Sequence, residues 1–163
     1  MAETARETER AALSGFLQWP ALFDEIEAGP DLFHEERHSG LFGLARQLHL
    51  KGEVCDLVVM SERVNRLGAD RFGGLAYIWS LYDLSPSRGA IPAYVADLKT
   101  AALRRKALAI LGARTEELTR ADDPERVVAG TIGDLDSLDD TENPDTKTHI
   151  RHAAEAGVEG VLD

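Results

Sequence analysis

"DLFHEERHSGLFGLARQLHLKGEVCDLVVMSERVNRLG", residues 31–68, predicts two helices separated by a short turn. Apolar residues at helical spacing indicate a first helix from about Glu35 to Leu50. Asp56 is a suitable N-cap for the second helix, and Gly68 is a suitable residue to end it. The stretch shows no alternation of apolar and polar residues that would favour a strand. It therefore predicts an all-α protein.

The same kind of pattern extends the all-α prediction over the rest of the chain. Further helices are predicted at residues 4–17, 20–28, 75–84, 93–118, 125–138 and 146–162. Thr4 is the predicted N-cap of the first of these, with Glu7 completing a capping box. The two helices after residue 92 are joined by a short turn, which is typical of an antiparallel hairpin. We predict a compact helical bundle over 1–92, a helical hairpin over 93–138, and an acidic linker with a linker helix over 139–163.

Composition and charge exclude several classes of protein. The chain has 163 residues and a formal net charge of −11, and Cys55 is its single cysteine. One cysteine cannot build a disulfide framework or a cysteine-based zinc module. About 12 acids stand against 3 bases from Ala121 onward, so the surface repels phosphate and no direct nucleic-acid binding is expected. No run of residues is long and apolar enough for a membrane span or a signal peptide. These features predict a soluble cytoplasmic protein.

Residues 34–38 match the H-E-x-x-H string that holds zinc when it lies on a helix. Here His34 falls at the predicted entrance of the helix, and no third ligand stands out. Glu36 and Arg37 between the histidines are charged, which is unsuited to a buried metal helix. A zinc peptidase using His34 and His38 is therefore an alternative that we disfavour. Cys55 lies beside an acid, which gives no reason for a lowered thiol pKa. No phosphate loop or nucleophile elbow is present, so no catalytic site is predicted.

The order of local signals over about residues 7–138 resembles the N-terminal domain of DnaB-type replicative DNA helicases. The features that carry the resemblance are the opening Leu13-Ser14-Gly15, Phe33 with His38 and Phe42 at their spacing, Gly52 with Asp56 and Leu57, Gly73-Gly74 followed by Tyr77, Ser85-Pro86-Ser87, Tyr94, and Leu103-Arg104-Arg105. Within this pattern only His38 of the H-E-x-x-H string belongs to the family spacing.

The resemblance implies a non-catalytic module of a hexameric helicase. In that family the hairpins pair subunits into a collar above the motor ring, and the collar receives the helicase-binding domain of primase. The implied partners are further copies of the chain, as a dimer or hexamer, together with primase and a helicase loader. ATP and magnesium would be bound by a motor domain that this sequence does not contain, so no cofactor is expected in these residues.

The resemblance also implies roles for individual residues. Glu7, Tyr77, Ala107 and Ala113 are the candidate partner-binding residues, Leu118 and Val128 the candidate residues for hairpin self-association, and Ile150, Val158 and Val161 the candidate residues for linker docking. The small alanine side chains on the hairpin offer a partner less apolar area. Two alternatives stay open at this point: a stand-alone protein that regulates a helicase, and the helicase-binding domain of a primase.

Overall fold

The structure, a computed structural model, describes residues 2–139. This part of the chain is all-α and contains no strand. Its helices are α1 (Ala2–Gln18), α2 (Leu22–Glu25), α3 (Glu36–Leu50), α4 (Leu57–Leu67), α5 (Leu75–Asp83), α6 (Ile91–Leu118) and α7 (Pro124–Asp139). Short 3₁₀ turns at Pro30–Leu32, Ala69–Phe72 and Arg88–Ala90 connect some of them. None of the described helices is long and apolar enough to cross a membrane.

The chain divides into two compact units, Met1–Ala102 and Leu103–Asp163. The prediction of three parts, 1–92, 93–138 and 139–163, stays a prediction. The predicted linker helix and its residues Ile150, Val158 and Val161 lie outside the described residues.

An aromatic cluster forms the centre of the first unit. The ring of Phe16 on α1 lies 4.9 Å from that of Phe23 and 5.0 Å from that of Phe42 on α3, measured between centroids. Phe33 packs on Phe42 at 5.1 Å. Met60 and Ile78 are fully buried in the same core. Burial of this apolar surface is the main force that holds α1 to α5 together.

Two polar side chains of α1 donate hydrogen bonds to backbone carbonyl groups at the C-terminal end of α5. The Ser14 hydroxyl donates to the Leu81 carbonyl at 2.6 Å, and the amide of Gln18 donates to the Leu84 carbonyl. Carbonyls in the last turn of a helix have no partner within the helix. Ser14 is fully buried, so this contact fixes α1 against the end of α5.

Two predicted helices of the first unit have different bounds in the structure. Helix α1 already includes Thr4, whose carbonyl accepts a hydrogen bond from the Thr8 hydroxyl at 2.9 Å. The predicted N-cap at Thr4 and its capping box are therefore wrong. The helix predicted over 20–28 is only Leu22–Glu25, because Ile26 adopts an extended backbone and packs against the core.

The stretch 31–68 folds as its sequence predicts. Helix α3 begins one residue after the predicted start and ends at Leu50. The Asp56 carboxylate caps α4 by accepting from the backbone N–H of Val59 at 2.8 Å. Gly68 follows α4 with a φ of 95°, a conformation that favours glycine. Both helices and both caps are confirmed.

In the second unit, the end of α6 and the whole of α7 form an antiparallel hairpin. The Asp123 carboxylate accepts from the N–H of Arg126 at 3.2 Å and so caps α7. Arg114 on α6 holds Asp134 on α7 with two hydrogen bonds of 3.0 Å and 2.6 Å. Pro124 occupies the first turn of α7, where a missing N–H is tolerated. The predicted pair of helices is present, starting at Ile91 and Pro124.

Candidate partner-binding surface

Three polar side chains from three helices form a connected chain inside the first unit. One oxygen of the Glu9 carboxylate lies 2.7 Å from Nδ1 of His38. The other ring nitrogen of His38, Nε2, is hydrogen-bonded to the hydroxyl of Tyr77. Glu9 is almost fully buried and His38 fully buried. Tyr77 connects this buried pair to the surface, since it is only half-buried.

The direction of these hydrogen bonds follows from the carboxylate. An ionised carboxylate only accepts, so Nδ1 of His38 donates to Glu9. In the neutral imidazole Nε2 then accepts from the Tyr77 hydroxyl. This assignment of the tautomer rests on the partners of the ring. Glu9 thereby fixes the position of Tyr77 through His38.

Glu9 is kept ionised in spite of its burial. Burial raises the pKa of the Glu9 carboxyl, but hydrogen bonds from His38 and from the backbone N–H groups of His34 and Glu35 outweigh this effect and leave the pKa lowered. The N–H of His34 donates to Glu9 at 2.6 Å and that of Glu35 at 3.2 Å. Several donors around one carboxylate stabilise its charged form. These two bonds also hold the chain at the entrance of α3.

Two glycines before α5 allow Tyr77 to reach its position, and other residues would not replace them easily. Gly73 and Gly74, directly before α5, have φ values of 85° and 82°, in the region that disfavours side chains. A Cβ atom on Gly73 would lie 3.2 Å from the Tyr77 ring and 3.3 Å from a terminal nitrogen of Arg37. The paired glycines thus let α3 and α5 approach closely enough for the His38–Tyr77 contact.

Arginine side chains cover the outer side of Tyr77. The guanidinium of Arg37 lies 4.2 Å from the centroid of the ring, and that of Arg10 lies 6.0 Å away. Both distances are within the range of a cation–π interaction. Burial raises the pKa of the Tyr77 hydroxyl although the two arginines lower it, so the phenol stays neutral at physiological pH. We name Tyr77, Arg37, Arg10 and Glu7 the Tyr77 surface.

The structure brings two of the predicted partner-binding residues together on this surface. The Glu7 carboxylate pairs with Arg10 at 2.9 Å, and Arg10 in turn contacts Tyr77. The two other candidates lie on α6 in the second unit. Ala107 is half-buried and Ala113 exposed. The role of all four residues in binding stays a prediction.

The hairpin leaves large apolar side chains exposed. Leu118 and Val128, the candidates for self-association, are 43% and 49% exposed. Further exposed apolar residues of the hairpin are Leu108, Leu111 and Ile132. An exposed apolar strip of this kind is typical of a helix that packs against a partner.

The H-E-x-x-H string does not form the helical zinc-binding arrangement. His34 lies before α3, which begins at Glu36, so the two histidines do not share a helix. Both ring nitrogens of His38 are hydrogen-bonded to Glu9 and Tyr77. Among the described residues, no group of three or more acids, histidines or cysteines could hold a metal ion. Cys55 is also unsuited to chemistry, because burial raises its pKa to about 11.

Glu9 is the residue of this site that the sequence analysis missed. It lies four and seven residues before Leu13 and Phe16, which are fully buried on the same face of α1. A charged residue on an apolar stripe indicates a buried ion partner. That signal was present in the sequence, but the partner, His38, is 29 residues away.

A family model described as DnaB-like helicase N terminal domain matches residues 1–100. The chain belongs to this family. The match covers the whole of the Tyr77 surface and confirms the resemblance drawn from the sequence motifs. No curated protein sequence matches this DnaB-family chain.

Solved structures of DnaB proteins share the fold of this chain. The N-terminal domain of DnaB helicase from Mycobacterium tuberculosis has a TM-score of 0.71 at 20% identity, over 78% of this chain and 94% of that one. A DnaB-like replicative helicase, whose structure concerns its interactions with primase, has a TM-score of 0.66 at 19% identity, over 96% of this chain. This DnaB-family chain spans 35% of that helicase. At these identities the likeness concerns the fold.

Proposed function

We propose that these residues form a non-catalytic oligomerisation and docking domain of a replicative DNA helicase, which pairs subunits into a hexamer collar and binds primase. The observation that carries the proposal is the exposed apolar strip of the α6–α7 hairpin in a chain of the DnaB-like N-terminal family. Burying such a strip against a second hairpin would stabilise a pair of subunits by about 25 cal/mol for each Å² of apolar surface removed from water.

Primase is the proposed partner at the Tyr77 surface. Tyr77 carries an apolar ring and a hydroxyl group, and aromatic residues with a polar group are common in energetically important contacts between proteins. Its hydroxyl is hydrogen-bonded to His38, and the Arg37 guanidinium lies over its ring. A rigid anchor binds with less loss of conformational entropy. The related DnaB-like helicase interacts with primase, which supports the choice of partner.

Catalysis is proposed to take place outside these residues. ATP and magnesium would be used by a motor domain in the same helicase, and this domain would contribute assembly and partner contacts in the cytoplasm. A helicase loader is a further proposed partner. Conformational changes would pass from the collar to the motor through residues 139–163, in which Ile150, Val158 and Val161 are the proposed docking residues.

Binding of primase tests the docking part of this proposal. We would titrate the chain with the helicase-binding domain of the primase from the same organism in a calorimeter. Tyr77→Ala is expected to weaken binding by more than about 1 kcal/mol, as loss of an aromatic anchor commonly does. Trp79→Ala is the matched control, since Trp79 is 56% exposed on the same helix but lies about 200° around it. Equal binding by wild type and Tyr77→Ala would contradict docking at this surface.

A further inference from the structure

Arg37 has hydrogen-bonding capacity that the described residues do not use. Its guanidinium stacks on the Tyr77 ring at 4.2 Å, and its side chain is 30% exposed. Its Nε lies 3.0 Å from a Glu35 oxygen, but this contact lacks the geometry of a hydrogen bond. The terminal nitrogens Nη1 and Nη2 donate no hydrogen bond to the described residues. Arg37 therefore presents a fixed, planar fork of donors beside the half-exposed ring.

The ion pairs of the described residues do not give Arg37 a carboxylate of its own. Glu35, the carboxylate closest to Arg37, also accepts a hydrogen bond of 2.9 Å from Arg6. Glu7 is engaged by Arg10 at 2.9 Å. Glu9 faces inward to His38. Glu35 and Glu7 are thus each engaged by another arginine, which leaves the terminal nitrogens of Arg37 available to a carboxylate of a partner.

The planar guanidinium of Arg37 and the acids around it favour a carboxylate over a nucleic-acid phosphate as the bound anion. A guanidinium binds a carboxylate through two parallel hydrogen bonds, and stacking on an aromatic ring holds its plane in position. A nucleic-acid backbone would bring several phosphates near Glu7, Glu35 and the exposed Glu36, on a chain of net charge −11. Such repulsion acts on every phosphate of a strand, whereas a single carboxylate bound at Arg37 adds only one negative charge.

We infer that the Arg37–Tyr77 stack is a carboxylate-binding site that receives an aspartate or glutamate side chain of the docked partner protein. This inference deepens the proposed function, since it names the chemistry by which the Tyr77 surface recognises its partner. The ring would contact the methylene groups of the acidic side chain, while Nη1 and Nη2 donate to its two oxygens. Tyr77, held by His38, acts as the positioning residue for Arg37.

The test uses a probe that does not depend on primase. The ¹⁵N-labelled full chain is titrated with the peptide Glu-Gly-Glu-Gly-Glu-Gly, and with Gln-Gly-Gln-Gly-Gln-Gly as the neutral control, while NMR follows the Nε–H signal of Arg37 and the ring signals of Tyr77. The acidic peptide is expected to shift both sets of signals, and the neutral peptide neither. Arg37→Gln is expected to weaken binding of the acidic peptide by about tenfold, equivalent to one charge-assisted hydrogen bond.

Two further variants separate charge, geometry and folding. Arg37→Lys keeps the charge but loses the planar fork, so we expect an intermediate affinity. Arg66→Gln is the matched control, since Arg66 is 66% exposed on α4 and paired with Glu62, and it is expected to bind as wild type does. Equal shifts with both peptides, undiminished binding by Arg37→Gln, or preferential binding of the oligonucleotide dT₁₂ at Arg37 would each overturn the inference.

The outcomes for the inference and for the proposed function are distinguishable. If primase does not bind but the acidic peptide shifts Arg37, the proposed partner is wrong and the carboxylate site stands. If primase binding is lost in Tyr77→Ala but unchanged in Arg37→Gln, docking stands and the carboxylate site is wrong.

Discussion

Glu9 shows how a single buried acid can position a surface residue, Tyr77, through a histidine that lies 29 residues away along the chain. Its carboxylate accepts from the ring of His38 and from the N–H groups of His34 and Glu35. Removing one partner from a buried group of hydrogen bonds leaves the other partners unsatisfied. The free-energy cost of such unsatisfied groups is larger than the net stabilisation that a hydrogen bond provides. The position of Tyr77 therefore depends on a residue that no partner needs to touch.

Replacing Glu9 by glutamine is expected to lower the free energy of unfolding by roughly 1–3 kcal/mol. The amide offers one acceptor oxygen instead of two, and its NH₂ group faces backbone donors. Urea unfolding followed by circular dichroism measures the difference. Glu7→Gln is the control, since Glu7 lies on the same helix with its side chain 52% exposed, and a change within about 0.5 kcal/mol is expected there. Equal losses in both variants would contradict the structural role of Glu9.

The pH dependence of stability follows from the lowered pKa of Glu9. A carboxyl group whose pKa is lower in the folded than in the unfolded state stabilises the fold above the unfolded value. This contribution is lost as the pH falls through the folded value. The ordinary pKa of the group is 4.5, so the stability difference between wild type and Glu9→Gln should be constant at neutral pH and shrink below about pH 4.5. Urea unfolding at a series of pH values checks this, and a difference that grows on acidification would contradict it.

Among the elements, helix α1 packs against the start of α6 at Gly15. A Cβ atom added there would overlap the side chain of Ile91, which is fully buried at the start of α6. Gly15→Ala is therefore expected to destabilise the first unit by about 1–3 kcal/mol, because the core has to be repacked. Gly43→Ala in α3 is the control, since nothing lies within 4 Å of its added Cβ.

The two glycine variants are expected to change the Tm of thermal unfolding in opposite directions. Gly43→Ala is expected to stabilise by roughly 0.5–1 kcal/mol, because alanine loses less backbone entropy in a helix. A rise in Tm for Gly15→Ala would show that α1 does not approach Ile91 as closely as the structure places it.

The pair Arg114–Asp134 joins α6 to α7 in the hairpin. Gly130 on α7 lies close to Arg114, since a Cβ atom added to this glycine would be 3.3 Å from the guanidinium. Arg114→Ala is expected to reduce hydrogen-exchange protection over residues 127–134, while Arg126→Ala, at the exposed start of α7, should leave it unchanged. Asp134→Ala should add little to Arg114→Ala if the two act as one pair. Additive losses would contradict the pairing.

The elements show which signals in a sequence are sufficient. Helix α4 was predicted well because its caps, Asp56 and Gly68, act through neighbouring backbone groups. Helix α3 was predicted from the helical spacing of apolar residues, of which Leu41, Phe42 and Leu48 are buried. The predicted cap at Thr4 was wrong because threonine can also lie inside a helix. There its hydroxyl can donate to the carbonyl four residues earlier, as the hydroxyl of Thr8 does to the carbonyl of Thr4. Helix α2 is short because Ile26 packs on the core in an extended conformation, and that contact depends on residues far away in the sequence.

For the whole molecule, the family and the all-α fold could be predicted from the sequence, but the Tyr77 surface could not. Glu7 and Tyr77 were chosen separately, and the contact between them passes through Arg10. Arg37 was considered only as a charged residue inside a histidine string, although it stacks on Tyr77. Such arrangements arise when α1, α3 and α5 pack together, which periodicity along the chain does not describe.

Self-association of the chain is the central claim, and its solution mass tests it most directly. Light scattering coupled to gel filtration over a concentration series is expected to give a dimer or a hexamer. Leu118→Asp or Val128→Asp should dissociate it, because a charge would be buried in an apolar contact, while Leu67→Asp, at a residue 52% exposed in the first unit, should not. A monomer at every concentration, or assemblies insensitive to charges on the hairpin, would contradict the proposed collar pairing.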